Sequence, residues 1–156
     1  MDLHYSEILP HDIKRVWAAL TTADALRAWL MDNDFQPEIG RAFRFECPPA
    51  PGVRGYVECR LLELEPMRRI VWSWHATDEG EPTTVTFELE AVAQGTRITL
   101  RHRGDTASDV TARTAEGWGV KLRELGAYVR ESSAMTNTDV AVAFLQSGGV
   151  RDMGRR

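Results

Sequence analysis

The 156-residue chain predicts an α+β domain: one strand, two short helices, a curved antiparallel sheet and one long carboxy-terminal helix packed on that sheet. Three observations carry this. Between Arg41 and Arg103, successive segments alternate apolar and polar residues at period two and are joined by short turns, which makes an antiparallel meander the economical pairing. From about Ser108 to Glu131 the spacing becomes helical. Ala115, Trp118, Leu122, Leu125 and Val129 there form a stripe wide enough to bury against a sheet. The order of strand, helices, meander and long helix is an α+β arrangement.

Taken in order, LHYSEIL (3–9) suits an opening strand. Pro10 stands where a helix can begin, and Ile13, Val16, Trp17 and Leu20 follow at helical spacing. Thr21 and Thr22 are candidate caps of a second short helix that carries Leu26, Trp29 and Leu30 on one side. In RAFRFEC, Phe43 and Phe45 share one face, with Arg44 and Glu46 on the other. PPAPG is a loop, and GYVECRLLELE is a long strand whose broken alternation predicts a bulge near Arg60 or Leu61. After a turn at Pro66, Ile70, Trp72 and Trp74 face one way. Past DEGEP, so do Val85, Phe87 and Leu89. Gln94-Gly95 fits a tight hairpin leading to Ile98, Leu100 and His102 on the inward face. A domain over residues 1–131 is expected, with 132–156 as an extension. Within it TDVAVAFLQ suits a further helical turn or two, and SGGVRDMGRR suits a mobile end.

Composition narrows function. A hydrophobic content of 43% with 27% charged residues is ordinary globular usage. A net charge of −4 gives no electrostatic footprint for nucleic acid. The amino-terminal residues do not read as a secretory signal, and no apolar run reaches the ~18 residues of a membrane span, so a cytoplasmic protein is expected. Cys47 and Cys59 are too few for a disulfide framework or a zinc site. The strand register expected around PPAPG sets Cys59 opposite Phe43, leaving two reduced, partly buried thiols.

The ordered blocks ILPHDIKRVWAALTTADALRAWL, LELEPMRRIVWSW, TTVTFELEAVAQGTRITLRHRG and EGWGVKLREL resemble the START-like (SRPBCC) helix-grip superfamily, of Bet v-like architecture. More narrowly, they resemble the activator of heat-shock-protein-90 ATPase homologue family in its single-domain form. The resemblance spans about residues 3–130. It implies that the long helix lies across the concave face of the sheet and that a cavity lies between them. Trp118, Leu122, Trp72, Trp74, Phe87, Phe43, Phe45 and Leu100 would line it. An aromatic, nearly non-polar lining suits a small hydrophobic ligand, lipid-like or aromatic. A filled core explains the same rings, and both readings stand. In AEGWGVKLREL, Gly117 and Gly119 flank Trp118, which suggests a close approach of the helix to a neighbouring backbone.

No catalytic residue, metal ligand or cofactor is expected. None of His4, His11, His75 and His102 has a second ligand-type residue at metal spacing. His102, if buried, suits a hydrogen bond to the backbone. Ser73 and Ser108 lie in no nucleophile elbow. Glu7, Glu58 and Glu63 are expected to face outward, because an inward carboxylate without a partner is expensive. Arg60, Arg68 and Arg69 read as a solvated cluster. Three functions follow: hydrophobic-ligand binding first, then a chaperone-associated stress-response module, then a cyclase-type enzyme. The expected partners are a small hydrophobic molecule, a second copy of the chain through VAVAFL (140–145) and, by the resemblance, a chaperone.

Overall fold

The alternating segments form one seven-stranded antiparallel sheet that curls around a helix. The elements are β1 (Asp2–Leu9), α1 (Ile13–Thr21), α2 (Ala23–Trp29), β2 (Asp32–Asn33), β3 (Ala42–Glu46), β4 (Tyr56–Glu65), β5 (Arg69–Trp74), β6 (Thr83–Val92), β7 (Gly95–Arg103) and α3 (Ser108–Gln146). This computed structural model describes residues 1–49, 51 and 54–146, the last fourteen of them as backbone only. The α+β helix-grip architecture expected from the sequence is the one the chain adopts.

Sheet order is β1-β7-β6-β5-β4-β3-β2. The expected meander therefore runs from β2 to β7, and β1 joins the far edge with Tyr5 opposite Leu100. Phe43 lies opposite Cys59, as the alternation implied. The bulge in β4 falls between Leu61 and Glu63, one residue beyond the expected place, and leaves Leu62 exposed. The β6–β7 loop is Ala93-Gln94 rather than Gln94-Gly95, since Val92 pairs with Gly95. Gly95 opens β7 at φ +140°, where a Cβ would run into the Leu9 carbonyl oxygen and lie 2.9 Å from His11 N and Pro10 Cα. Only glycine fits there.

Helix α1 starts at Ile13, three residues past Pro10. Of the two candidate caps, Thr22 serves α2: its hydroxyl accepts the Ala25 N–H at 3.3 Å. Thr21 instead donates back to the Trp17 carbonyl at 2.8 Å. Val16, Leu20 and Leu26 are fully buried, and the Trp29 indole donates to the Ala19 carbonyl at 2.7 Å. From α3, Leu125 and Val129 are fully buried. Each such side chain contributes ~1.5–3 kcal/mol. The α3 backbone stays helical across residue 131 to Gln146. The SGGVRDMGRR stretch and the side chains of VAVAFL lie outside the described residues.

Candidate functional site

Alternation along β3, β5 and β6 brings Phe43, Phe45, Trp72 and Phe87 to the helix-facing side, and α3 adds Trp118. Each is 3% exposed or less. The rings meet edge to face, Phe43 with Phe45 at 5.6 Å and with Trp72 at 5.9 Å, and Phe87 with Trp118 at 5.9 Å. Such contacts add ~0.5–1.5 kcal/mol each beyond burial. These five rings fill the space between sheet and helix. Trp74, the next inward ring on β5, is half-buried and touches Phe45, His102 and Trp118.

A chain of hydrogen bonds fixes this end of the interior. The Trp118 indole N–H donates to Nδ1 of His102 at 2.9 Å. Nδ1 therefore carries no proton, and Nε2–H donates to the Thr83 hydroxyl at 2.7 Å. That hydroxyl donates to the Trp74 carbonyl at 2.9 Å. His102 thus answers two side chains rather than the expected backbone group. It is 1% exposed, and its pKa is pushed down to about 4 by burial and then by the Met1 ammonium. The imidazole is neutral. By contrast, the fully buried indole N–H of Trp72 has no partner among the described residues, a penalty of ~1–3 kcal/mol.

Beyond Trp74, His102 and Thr83 the grip opens into a cleft of about 850 Å³. Its rim is the loop around His75–Glu81, the Asp105–Ala107 link and the first turns of α3. Five carboxylates, Asp78, Glu79, Glu81, Asp105 and Asp109, line it against two guanidinium groups, Arg54 and Arg113. Arg54 clamps the rim, donating to Asp78 at 2.9 Å, to Glu58 at 3.1 Å and to the His75 carbonyl at 2.8 Å. The Tyr56 ring takes two guanidinium groups, Arg44 at 3.6 Å and Arg54 at 4.3 Å. Sequence reasoning missed Arg54. It follows a Pro/Gly loop that carries no periodic signal.

A smaller cleft of about 250 Å³ lies between β1 and α3, lined by Tyr5, Glu7, Ile98, Leu100, Gly119, Leu122 and their neighbours. Leu100 and Leu122, both expected to line one cavity with the rings, meet here. Glu58 and Glu63 are exposed and paired with Arg54 and Arg69. Glu7 departs from the outward expectation: it shares the helix-facing side of β1 with Tyr5 and Leu9, in register with buried Ile98. Because β1 is the sheet edge, its carboxyl still reaches solvent, and partial desolvation pushes its pKa up.

The expected close approach at the α3 glycines is not made. A Cβ on Gly117 would meet nothing within 4 Å, and one on Gly119 only Arg123 Nη1 at 3.9 Å. Glycine is required instead at Gly95 and at Gly104, whose φ is +152° and whose Cβ would sit 2.8 Å from that of Thr83. Arg68 and Arg69 pair with Glu65, Glu63 and Glu88, and Arg60 reaches the Gly40 carbonyl; all are exposed bonds of small energetic weight. Among the described residues no three His, Cys, Asp or Glu side chains group as metal ligands, and no helix is long and apolar enough to cross a membrane.

A curled antiparallel sheet gripping one long helix defines the START-like helix-grip class. The family model described as Activator of Hsp90 ATPase homolog 1-like protein matches residues 10–130, and the chain belongs to that family. Among solved structures, a Mesorhizobium loti protein is similar with a TM-score of 0.75 and 23% identity, covering 84% of this chain and 98% of its own. A Bacillus halodurans protein shares 27% identity at a TM-score of 0.68, over 83% of this chain and 96% of its own. The Aha1 dimer from Colwellia psychrerythraea is similar at a TM-score of 0.72 with 22% identity, over 83% and 96%. No curated protein matches the chain.

Proposed function

We propose that the protein binds a small, largely apolar molecule, aromatic or lipid-like, at the open end of the grip. One observation carries this reading: a half-buried tryptophan, Trp74, floors a cleft of about 850 Å³ beside a fully hydrogen-bonded His102. A partly exposed tryptophan lining a concave site offers apolar area to a guest. Phe45 and Trp118 pack against Trp74, and Phe43, Trp72 and Phe87 back them in the aromatic interior. Both nitrogens of His102 are committed, so it has none free to take a substrate proton, and binding without catalysis suits the site. The free thiols of Cys47 and Cys59 agree with action in the cytoplasm.

Native mass spectrometry of freshly purified protein tests retention of a guest. Titration with indole, naphthalene and a long-chain alcohol, read by tryptophan fluorescence, tests the site. Saturable quenching that is lost in Trp74→Ala is the expected result. No retained mass together with no fluorescence response overturns the reading.

A second reading, a chaperone-associated module, is favoured by family membership. It predicts a raised ATPase rate when the protein is added to the chaperone named by that family. The dimer solved for the Colwellia relative supports a second copy as partner, with VAVAFL as the proposed contact. Subunit number after truncation at Ser132 tests this.

A further inference from the structure

The small cleft between β1 and α3 has features that the ring-filled interior does not require. Its body is apolar, made by Tyr5, Ile98, Leu100 and Leu122. One wall is missing because residue 119 is glycine. Neither backbone angle nor packing demands glycine there, since a Cβ would meet only Arg123 Nη1 at 3.9 Å. What Gly119 does is leave the slot open. That same distance holds the Arg123 guanidinium beside the slot, and the Glu7 carboxyl lines it as well. Glu7 and Arg123 form no ion pair or side-chain hydrogen bond among the described residues, with each other or with anything else. Two opposite charges, neither of them paired, border one apolar cleft and are complementary to a molecule that carries both signs and an apolar body.

We propose that this slot binds a small zwitterion with an apolar side chain, of the class of an aromatic or branched α-amino acid. Its ammonium meets Glu7, its carboxylate meets Arg123, and its side chain lies on Leu100 and Leu122. The volume of about 250 Å³ falls just under the ~300–1,000 Å³ of drug-sized sites, which suits so small a guest. Glu7 is partly desolvated with no cation beside it, so an arriving ammonium relieves an existing penalty. A guanidinium can give a carboxylate two parallel hydrogen bonds. The slot is separate from the cleft at Trp74, and its occupancy is independent of the function proposed above.

The test is a methyl-labelled NMR titration observing Ile98, Leu100 and Leu122, with the Trp74 indole signal as the reporter of the other cleft. The probes are L-phenylalanine, phenylpropionate lacking the ammonium, and phenethylamine lacking the carboxylate. L-phenylalanine is expected to move the three methyl groups saturably, and each single-charge analogue to bind about tenfold more weakly or worse. Glu7→Gln should erase the preference for L-phenylalanine over phenylpropionate, and Arg123→Gln its preference over phenethylamine. Gly119→Leu fills the slot without a backbone clash and should abolish binding while the remaining spectrum is kept. Unmoved methyl signals, binding that survives Gly119→Leu, or shifts centred on the Trp74 indole each overturn the proposal.

Discussion

The indole N–H of Trp118 donates to Nδ1 of His102 across the gap between α3 and β7, at 2.9 Å, and both side chains are 3% exposed or less. This bond joins the long helix to the sheet by a polar contact inside an otherwise aromatic interior. It also selects the tautomer that binds Thr83.

Acid should therefore weaken the fold through His102. Its pKa falls from 6.5 to about 4 on folding, so between those values the unfolded chain binds more protons. Stability from this group is complete above pH ~6.5 and is lost as pH drops toward 4, with an amplitude of about 3 kcal/mol. Denaturant melts at a series of pH values, compared with His102→Leu, should show the variant lacking this slope. Parallel pH profiles for the two proteins would contradict the assignment.

Two tryptophans should respond unequally to replacement by phenylalanine. Trp118→Phe leaves His102 Nδ1 buried without its donor, adding ~1–3 kcal/mol to the loss of ring area. Trp72→Phe removes a buried donor that has no partner, so the ~1–3 kcal/mol penalty it relieves offsets the lost ring area. The measurement is the difference in unfolding free energy. In Trp118→Phe the His102 pKa should also rise, as followed by NMR, because the donor to the neutral ring is gone.

Gly117→Ala should stabilise the protein by about 0.5–1 kcal/mol, since the added methyl meets open space and the helix gains propensity. Gly95→Ala should do the opposite and by more, because its Cβ strikes the Leu9–His11 backbone. Thermal melts of the pair decide the point, and equal shifts would refute the packing described.

The two thiols should differ in reactivity. Burial pushes the Cys59 thiol far up, with Asp34 and Glu58 adding to it, while half-buried Cys47 is raised less by desolvation and Glu46. A thiol reagent at neutral pH should modify Cys47 slowly and Cys59 only after unfolding.

Arg54→Ala should release the rim of the large cleft. Three hydrogen bonds from one guanidinium hold Asp78, Glu58 and the His75 carbonyl. Hydrogen exchange at amides 75–81 should accelerate while amides of β7 keep their protection.

Period-two alternation made the inner face legible because side is a local property of a strand. Phe43, Phe45, Trp72, Phe87 and Leu100 needed no knowledge of their partners. Which strand lies beside β1 was not legible, since Tyr5 and Leu100 are joined only by the closing of the sheet. The same applies to Thr83 as partner of His102 and to Arg54 as rim clamp, both contacts between distant loops or strands. The two clefts were illegible for another reason. Empty space depends on what the rings leave unfilled, and five of them leave almost nothing between Trp72 and Trp118. Glu7 was misread because edge position, which lets an inward carboxyl reach water, is set by topology.

The pairing of β1 with β7 also orders events at the ribosome. Residues 2–9 leave the exit tunnel well before residues 96–103, the strand that pairs with them. Until that strand has been translated, Leu3, Tyr5 and Leu9 lack the strand they dock beside, and the nascent chain carries an unmatched apolar edge. Closure of the sheet is a late, long-range step, and the interval before it is when the polypeptide is most exposed to aggregation.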